Sequence, residues 1–208
     1  MINIYNMDCM EAMKDMSDNQ FDLAIVDPPY GIERFKKGFG TTRFKMDKRT
    51  AKNGIEWDIK PKDNFFQELF RVSKNQIIWG ANNFILPPTE YFCIWNKKQT
   101  VDNFATAEYA WVSMGLKKPA KIFEYSIHKH NHTNKIHPTQ KPVKLYEWLL
   151  MNYAKEGDTI LDTHLGSGSI AIACHNLGYD LTGYEIDKDY YEAAKKRIKE
   201  HQNQLRIL

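Results

Sequence analysis

The chain lacks any long apolar run: no stretch approaches the roughly 20 residues that a membrane-spanning helix requires, so no membrane partner is expected. It is poor in cysteine. Cys9, Cys93 and Cys174 are odd in number, far apart and without Cys-x-x-Cys spacing. That argues against a disulfide framework and for a reducing compartment, the cytoplasm. The opening residues Met1-Ile2-Asn3-Ile4-Tyr5 lack the layout of a secretory signal. Internal repeats, low-complexity tracts and a convincing interdomain linker are missing too, so residues 1–208 are read as one domain.

What is present is the composition of a soluble globular protein, 42% hydrophobic and 26% charged. The net charge of +3 hides an uneven spread. Residues 31–62 carry ten Lys/Arg against four acids, and residues 117–144 carry seven lysines against Glu124 alone. Two basic segments in one modest domain point to a polyanion, most simply nucleic acid. The first segment, with Gly31, Gly38, Gly40 and Gly54, reads as a long loop, and loops of that length tend to be functional.

Seven short apolar segments have strand character: 2–6, 21–26, 76–79, 91–95, 108–112, 159–161 and 181–184. Helical patterns fall between them, at 9–16, 64–71, 142–155, 169–178 and from 187 onward. Pro142 suits a first helical turn, and Gly178 a C-cap. The alternation predicts an α/β fold with helices on both faces of the sheet.

Asp27-Pro28-Pro29-Tyr30 directly follows the apolar run 21–26. Consecutive prolines have no N–H to enter a ladder, so their carbonyls are available to a ligand. A carboxylate and an aromatic ring beside them form a pocket for a flat molecule with an amino group, such as an adenine or cytosine taken out of its helix. A second turn runs Asp162-Thr163-His164-Leu165-Gly166-Ser167-Gly168, from a buried strand into a helix. Its glycines permit a tight turn and close approach of a ligand. Glu185, at the end of the following strand, is placed to take the two hydroxyls of a ribose. Gly166-x-Gly168-x-x-Ala171 also satisfies the loose dinucleotide fingerprint, so an NAD-dependent oxidoreductase stands as an alternative.

These motifs resemble those of the permuted, beta-class DNA amino-methyltransferases, in which Asp-Pro-Pro-Tyr precedes the glycine motif, as Asp27–Tyr30 precedes Asp162–Gly168 here. His137-Pro138-Thr139-Gln140-Lys141-Pro142 matches a third motif of that family almost letter for letter. The segments 5–10, 76–84 and 91–97 resemble others in the expected order. The resemblance implies a Rossmann-like methyltransferase fold with a mixed, mostly parallel, seven-stranded sheet and circularly permuted motif order. It implies S-adenosyl-L-methionine as cofactor and the exocyclic N6 of adenine in DNA as acceptor. Asp27, Pro28, Pro29 and Tyr30 would hold the flipped base. Asp162, His164, Gly166, Ser167 and Gly168 would hold the methionine part of the cofactor, and Glu185 its ribose. Asp8 and Cys9 would flank its adenine, and Thr139, Gln140 and Lys141 would lie near its carboxylate. The expected partner is DNA, as a duplex with a flipped base or a single strand. A homodimer and a restriction endonuclease partner fit the class.

Two departures stand out. Thr163-His164 replaces the family's common Pro-Phe, and the recognition region before His137 is cut to a short segment, 114–135. N4-cytosine and RNA-adenine methylation, and a binding module without chemistry, remain the other readings. His128-x-His130-x-His132 has no acidic or cysteine partner nearby, and no metal is expected.

Overall fold

The computed structural model describes residues 1–31, 59–102, 104–131 and 135–204. Its strands form where apolar residues can face two cores at once. In β2 (Phe21–Val26), Leu23 and Ile25 enter one core while Ala24 and Val26 enter the other. In β3 (Ser73–Trp79), Ile77 and Trp79 are set against Ile78 in the same way. Such strands, buried on both faces, are the mark of a sheet covered by helices on either side.

The remaining strands are β1 (Ile2–Asn6), β4 (Phe92–Asn96), β5 (Ala107–Val112), β6 (Lys121–Glu124), β7 (Thr159–Asp162) and β8 (Asp180–Glu185). Helices α1 (Cys9–Lys14) and α2 (Asp63–Val72) bury Met13, Phe65, Phe66 and Leu69 on one face. On the other, α4 (Val143–Tyr153), α5 (Ser169–Leu177) and α6 (Lys188–Gln202) bury Leu145, Leu149, Ala171 and Ile198. The short α3 (Ile127–Asn131) follows β6. Caps match the local sequence. Asp8 accepts from the Met10 N–H and Asp187 from those of Asp189 and Tyr190, while α5 ends on Gly178 at φ +79°.

The sheet order is β1-β8-β7-β2-β3-β5-β4-β6, and β5 alone runs antiparallel to both neighbours. It has eight strands among the described residues, one more than the seven expected. The addition is β6, which pairs in parallel with β4 at the edge. Its four residues alternate between partly buried and exposed inside a lysine-rich segment, too weak a local signal to distinguish from loop.

β2 and β7 are parallel neighbours, with Leu23 opposite Ile160 and Ala24 opposite Leu161. From β7 the chain passes to β8 on one side, and from β2 to β3 on the other. The loops after the two strands therefore diverge and leave a crevice at the carboxyl ends, the usual ligand position in open α/β sheets. Of the basic loop expected at 31–62, residues 32–58 lie outside the described residues. Among those described, no helix is long and apolar enough to cross a membrane.

Candidate functional site

Asp27 emerges from β2 half-buried in this crevice. The Tyr30 hydroxyl donates to its Oδ1 at 2.5 Å, and the Lys141 ammonium donates to its Oδ2. Lys141 is 4% exposed and also lies 3.2 Å from Glu108 Oε2, whose other oxygen takes Lys97 Nζ at 2.6 Å. Four charges thus alternate in a row: Asp27, Lys141, Glu108, Lys97. Burial opposes ionisation of Glu108, but the two lysines more than offset it and hold its pKa at about 2. Burial likewise opposes the charge on Lys141, and Asp27 and Glu108 reverse that, raising its pKa. The Tyr30 ring lies against Gly80, where a Cβ would come within 2.0 Å of it. Gly80 is also at φ +65°, so the position calls for glycine twice over.

The second turn is braced by its own backbone. Glu185 Oε2 accepts from Gly166 N at 2.8 Å and Oε1 from Asp187 N at 2.9 Å. Asp162 Oδ1 accepts from His164 N at 3.0 Å. Asp162 is 2% exposed, and among the described residues no cationic side chain reaches it at ion-pair distance. Burial, with Asp27 and Glu185 as like-charged neighbours, pushes its pKa up to about 8. Burial also raises that of Glu185. Gly166 and Gly168 take φ +51° and +70°, and a Cβ on Gly168 would meet Ile198 at 2.9 Å. Ser167 turns its hydroxyl towards that of Ser169 at 3.1 Å, and its carbonyl accepts from Arg197 at 2.7 Å.

The His164 ring is bonded through Nδ1 to the Thr163 hydroxyl at 2.9 Å. Burial holds its pKa at about 4, so it is neutral at pH 7, and it packs edge-on to Phe65 with centroids 5.3 Å apart. From there an aromatic path runs through Phe66 and Phe84 to Tyr30. It links the two turns across the crevice.

The other expected residues are distributed around the glycine turn and the Asp27 turn. Asp8 is exposed and caps α1, while Cys9 is buried beside it with its thiol pushed up to about 12 by burial and Asp8. Thr139 bonds through Oγ1 to His137 Nδ1 at 3.0 Å, and the His137 ring would lie 3.8 Å from a Cβ at Gly166. Gln140 is buried, its Oε1 accepting from Ile136 N and its carbonyl bonded to His130 Nε2 at 2.6 Å. His130 therefore ties the 137–142 segment in place; His132 lies outside the described residues. Lys141, expected near the cofactor carboxylate, is joined to Asp27. Sequence reasoning missed Glu108, Lys97, Gly80 and the phenylalanines. A lone acid opening the apolar strand 108–112 was the one available signal.

A doubly wound sheet with two such turns at its switch point defines a Rossmann-like fold, with both turns where open α/β sheets usually take their ligands. Residues 59–196 match the family model described as DNA methylase. The chain belongs to this family of N6/N4 DNA methylases. It is 26% identical over 227 residues to the type II methyltransferase M.HpaI of Haemophilus parainfluenzae, covering 91% of this chain and 71% of that protein. The crystal structure of the M1.HpyAVI–SAM complex shares its fold, with TM-score 0.58, 22% identity and coverage of 95% of this chain and 100% of the other. So does the cytosine-N4-specific PvuII DNA methyltransferase, with TM-score 0.58, 12% identity and coverage of 97% and 91%.

Proposed function

We propose that this chain methylates the exocyclic N6 of adenine in DNA, with S-adenosyl-L-methionine as the donor. The observation that carries the reading is the juxtaposition of two turns at the ends of β2 and β7. One offers acceptors for an amino group. The other pairs a glycine turn with a buried acid that has no cationic partner among the described residues. The family match and the type II methyltransferase relative support it, as does the SAM bound by a protein of the same fold.

The residues fit the donor. Asp162 is suited to the ammonium of an amino-acid moiety, because a cation there would relieve the cost of its buried carboxylate. Gly166 and Gly168 keep side chains away from the ligand, His164 lies as a neutral ring beside it, and Ser167 contributes through its backbone. Glu185 takes the ribose, Asp8 and Cys9 flank the adenine, and Thr139 and Gln140 line the carboxylate end. When bound, the cofactor supplies an electrophilic methyl group on a sulfonium.

Asp27 and the Pro28 carbonyl accept the two amino hydrogens of the flipped base, returning the nitrogen lone pair from the ring to the attack. Pro29 stiffens the turn, and Tyr30 offers a stacking face worth about 1–3 kcal/mol per base. In-line displacement needs placement above all, and Asp27 stabilises the positive charge that grows on nitrogen. Lys141, in this reading, supports Asp27 rather than the cofactor carboxylate. The chain works as a single methyltransferase domain, gripping DNA through the basic segment 31–62 and reading it through the short segment 114–135.

Incubation with unmethylated DNA and labelled S-adenosyl-L-methionine, then mass spectrometry of the digested nucleosides, tests this. N6-methyladenine is expected. N4-methylcytosine would keep the reaction and overturn the base; no methylated nucleoside would overturn the reaction.

A further inference from the structure

We infer that Glu108 is a positioning residue for Asp27, acting through Lys141. The inference rests on the proposed role of Asp27 as acceptor for the base amino group. Because β5 runs antiparallel to β3, its first residues lie beside the carboxyl ends of the strands that build the crevice, with Glu108 opposite Trp95 and Ala110 opposite Trp79. An acid at the start of this one reversed strand is thereby delivered to the site, 33 residues before the lysine it holds.

Lys141 has three N–H donors. It donates to Asp27 Oδ2, has the Tyr30 hydroxyl at 3.5 Å and Glu108 Oε2 at ion-pair distance, 3.2 Å, lies 5.5 Å from the Trp79 ring centroid, and is almost wholly buried. Held between two carboxylates, the ammonium cannot settle on Asp27 alone. Asp27, Lys141, Glu108 and Lys97 together carry no net charge, whereas without Glu108 the remaining three would carry about +1. A neutral row opposes the positive charge that develops on the amino nitrogen less than a net positive trio would. Lys97 at the far end keeps Glu108 ionised and fixes its orientation. Glu108 therefore sets how much of the Asp27 charge reaches the base, without touching it.

Glu108→Gln is isosteric and removes the charge. Its kcat, measured at saturating DNA and cofactor, is expected to fall about 10- to 100-fold, by analogy with the loss when a partner that orients a metal-ligating residue is removed, with the cofactor KM within about twofold of wild type. Glu108→Asp should retain more activity than the glutamine variant. In a Lys141→Met background, Glu108→Gln should cause no further loss, since its only route to Asp27 is gone. A kcat for Glu108→Gln within twofold of wild type would overturn the inference. So would equal losses with and without Lys141. Wild-type protein inactive on DNA would instead sink the methylation reading. In that case the 15Nζ resonance of Lys141, assigned with Lys141→Met, still decides whether Glu108 holds the ammonium: displacement by Glu108→Gln upholds the contact, and an unmoved resonance refutes it.

Discussion

Asp162 and Glu108 are both acids in the same crevice, yet the protein treats them in opposite ways. Asp162 has its pKa raised to about 8, above the unfolded value, so between pH 4 and 8 the folded chain binds more protons there than the unfolded one. Its contribution to stability therefore falls as pH rises. Asp162→Asn is expected to raise the melting temperature at pH 8 while leaving it little changed near pH 4, and to weaken cofactor binding at least about tenfold. Scanning calorimetry and cofactor titration check both. A melting-temperature difference that does not grow with pH would refute the first. Glu108 has the opposite sign: held at about 2, it stabilises the fold above about pH 4.5, and the contribution is lost as pH falls towards 2. Gly80 makes a steric point. Alanine there would be strained by about 1–2 kcal/mol through its φ alone, and its methyl would come within 2.0 Å of the Tyr30 ring. Gly80→Ala should therefore displace Tyr30 and lower turnover more than it lowers stability. Unaltered turnover in a folded variant would show that Tyr30 does not need its present place.

At the level of elements, the crevice depends on how α1 and α2 are joined beneath it. Arg71, near the end of α2, donates to the carbonyls of Met13 and Met16 at 2.6 and 2.7 Å and pairs with Glu68 and Asp18. It thereby satisfies the end of α1 and the turn leading into β2, the strand that carries Asp27. Arg71→Met removes these charge-assisted bonds and is expected to cost about 2–3 kcal/mol, read as a lowered urea midpoint at constant slope. Elements of this kind were largely legible. The strands whose residues face a core on each side, β2, β3, β7 and β8, announced themselves by apolar runs ending in turns. β6 did not, because one alternating pair of half-buried residues is stabilised by its partner β4 and not by local pattern.

For the whole molecule, charge and topology decide what can approach. The lysines of 117–144 and the basic residues of 31–62 give a modest net charge a strong local bias. DNA affinity is expected to fall steeply, linearly in log–log form, as salt rises. Binding indifferent to salt would exclude these segments as the phosphate grip.

Sequence alone determined the α/β class, the order of the motifs, the two turns and most residues proposed to line the crevice, because each of these is written in patterns a few residues long. Even the His164 departure could be named there. That the ring stays neutral and packs on Phe65 required its burial to be known. Only the tertiary structure decided that Lys141 pairs with Asp27, 114 residues away, and that Glu108 reaches the same ammonium. Those contacts follow from strand order and from the reversal of β5. Neither has a local signature, because each arises when distant segments share a register in one sheet.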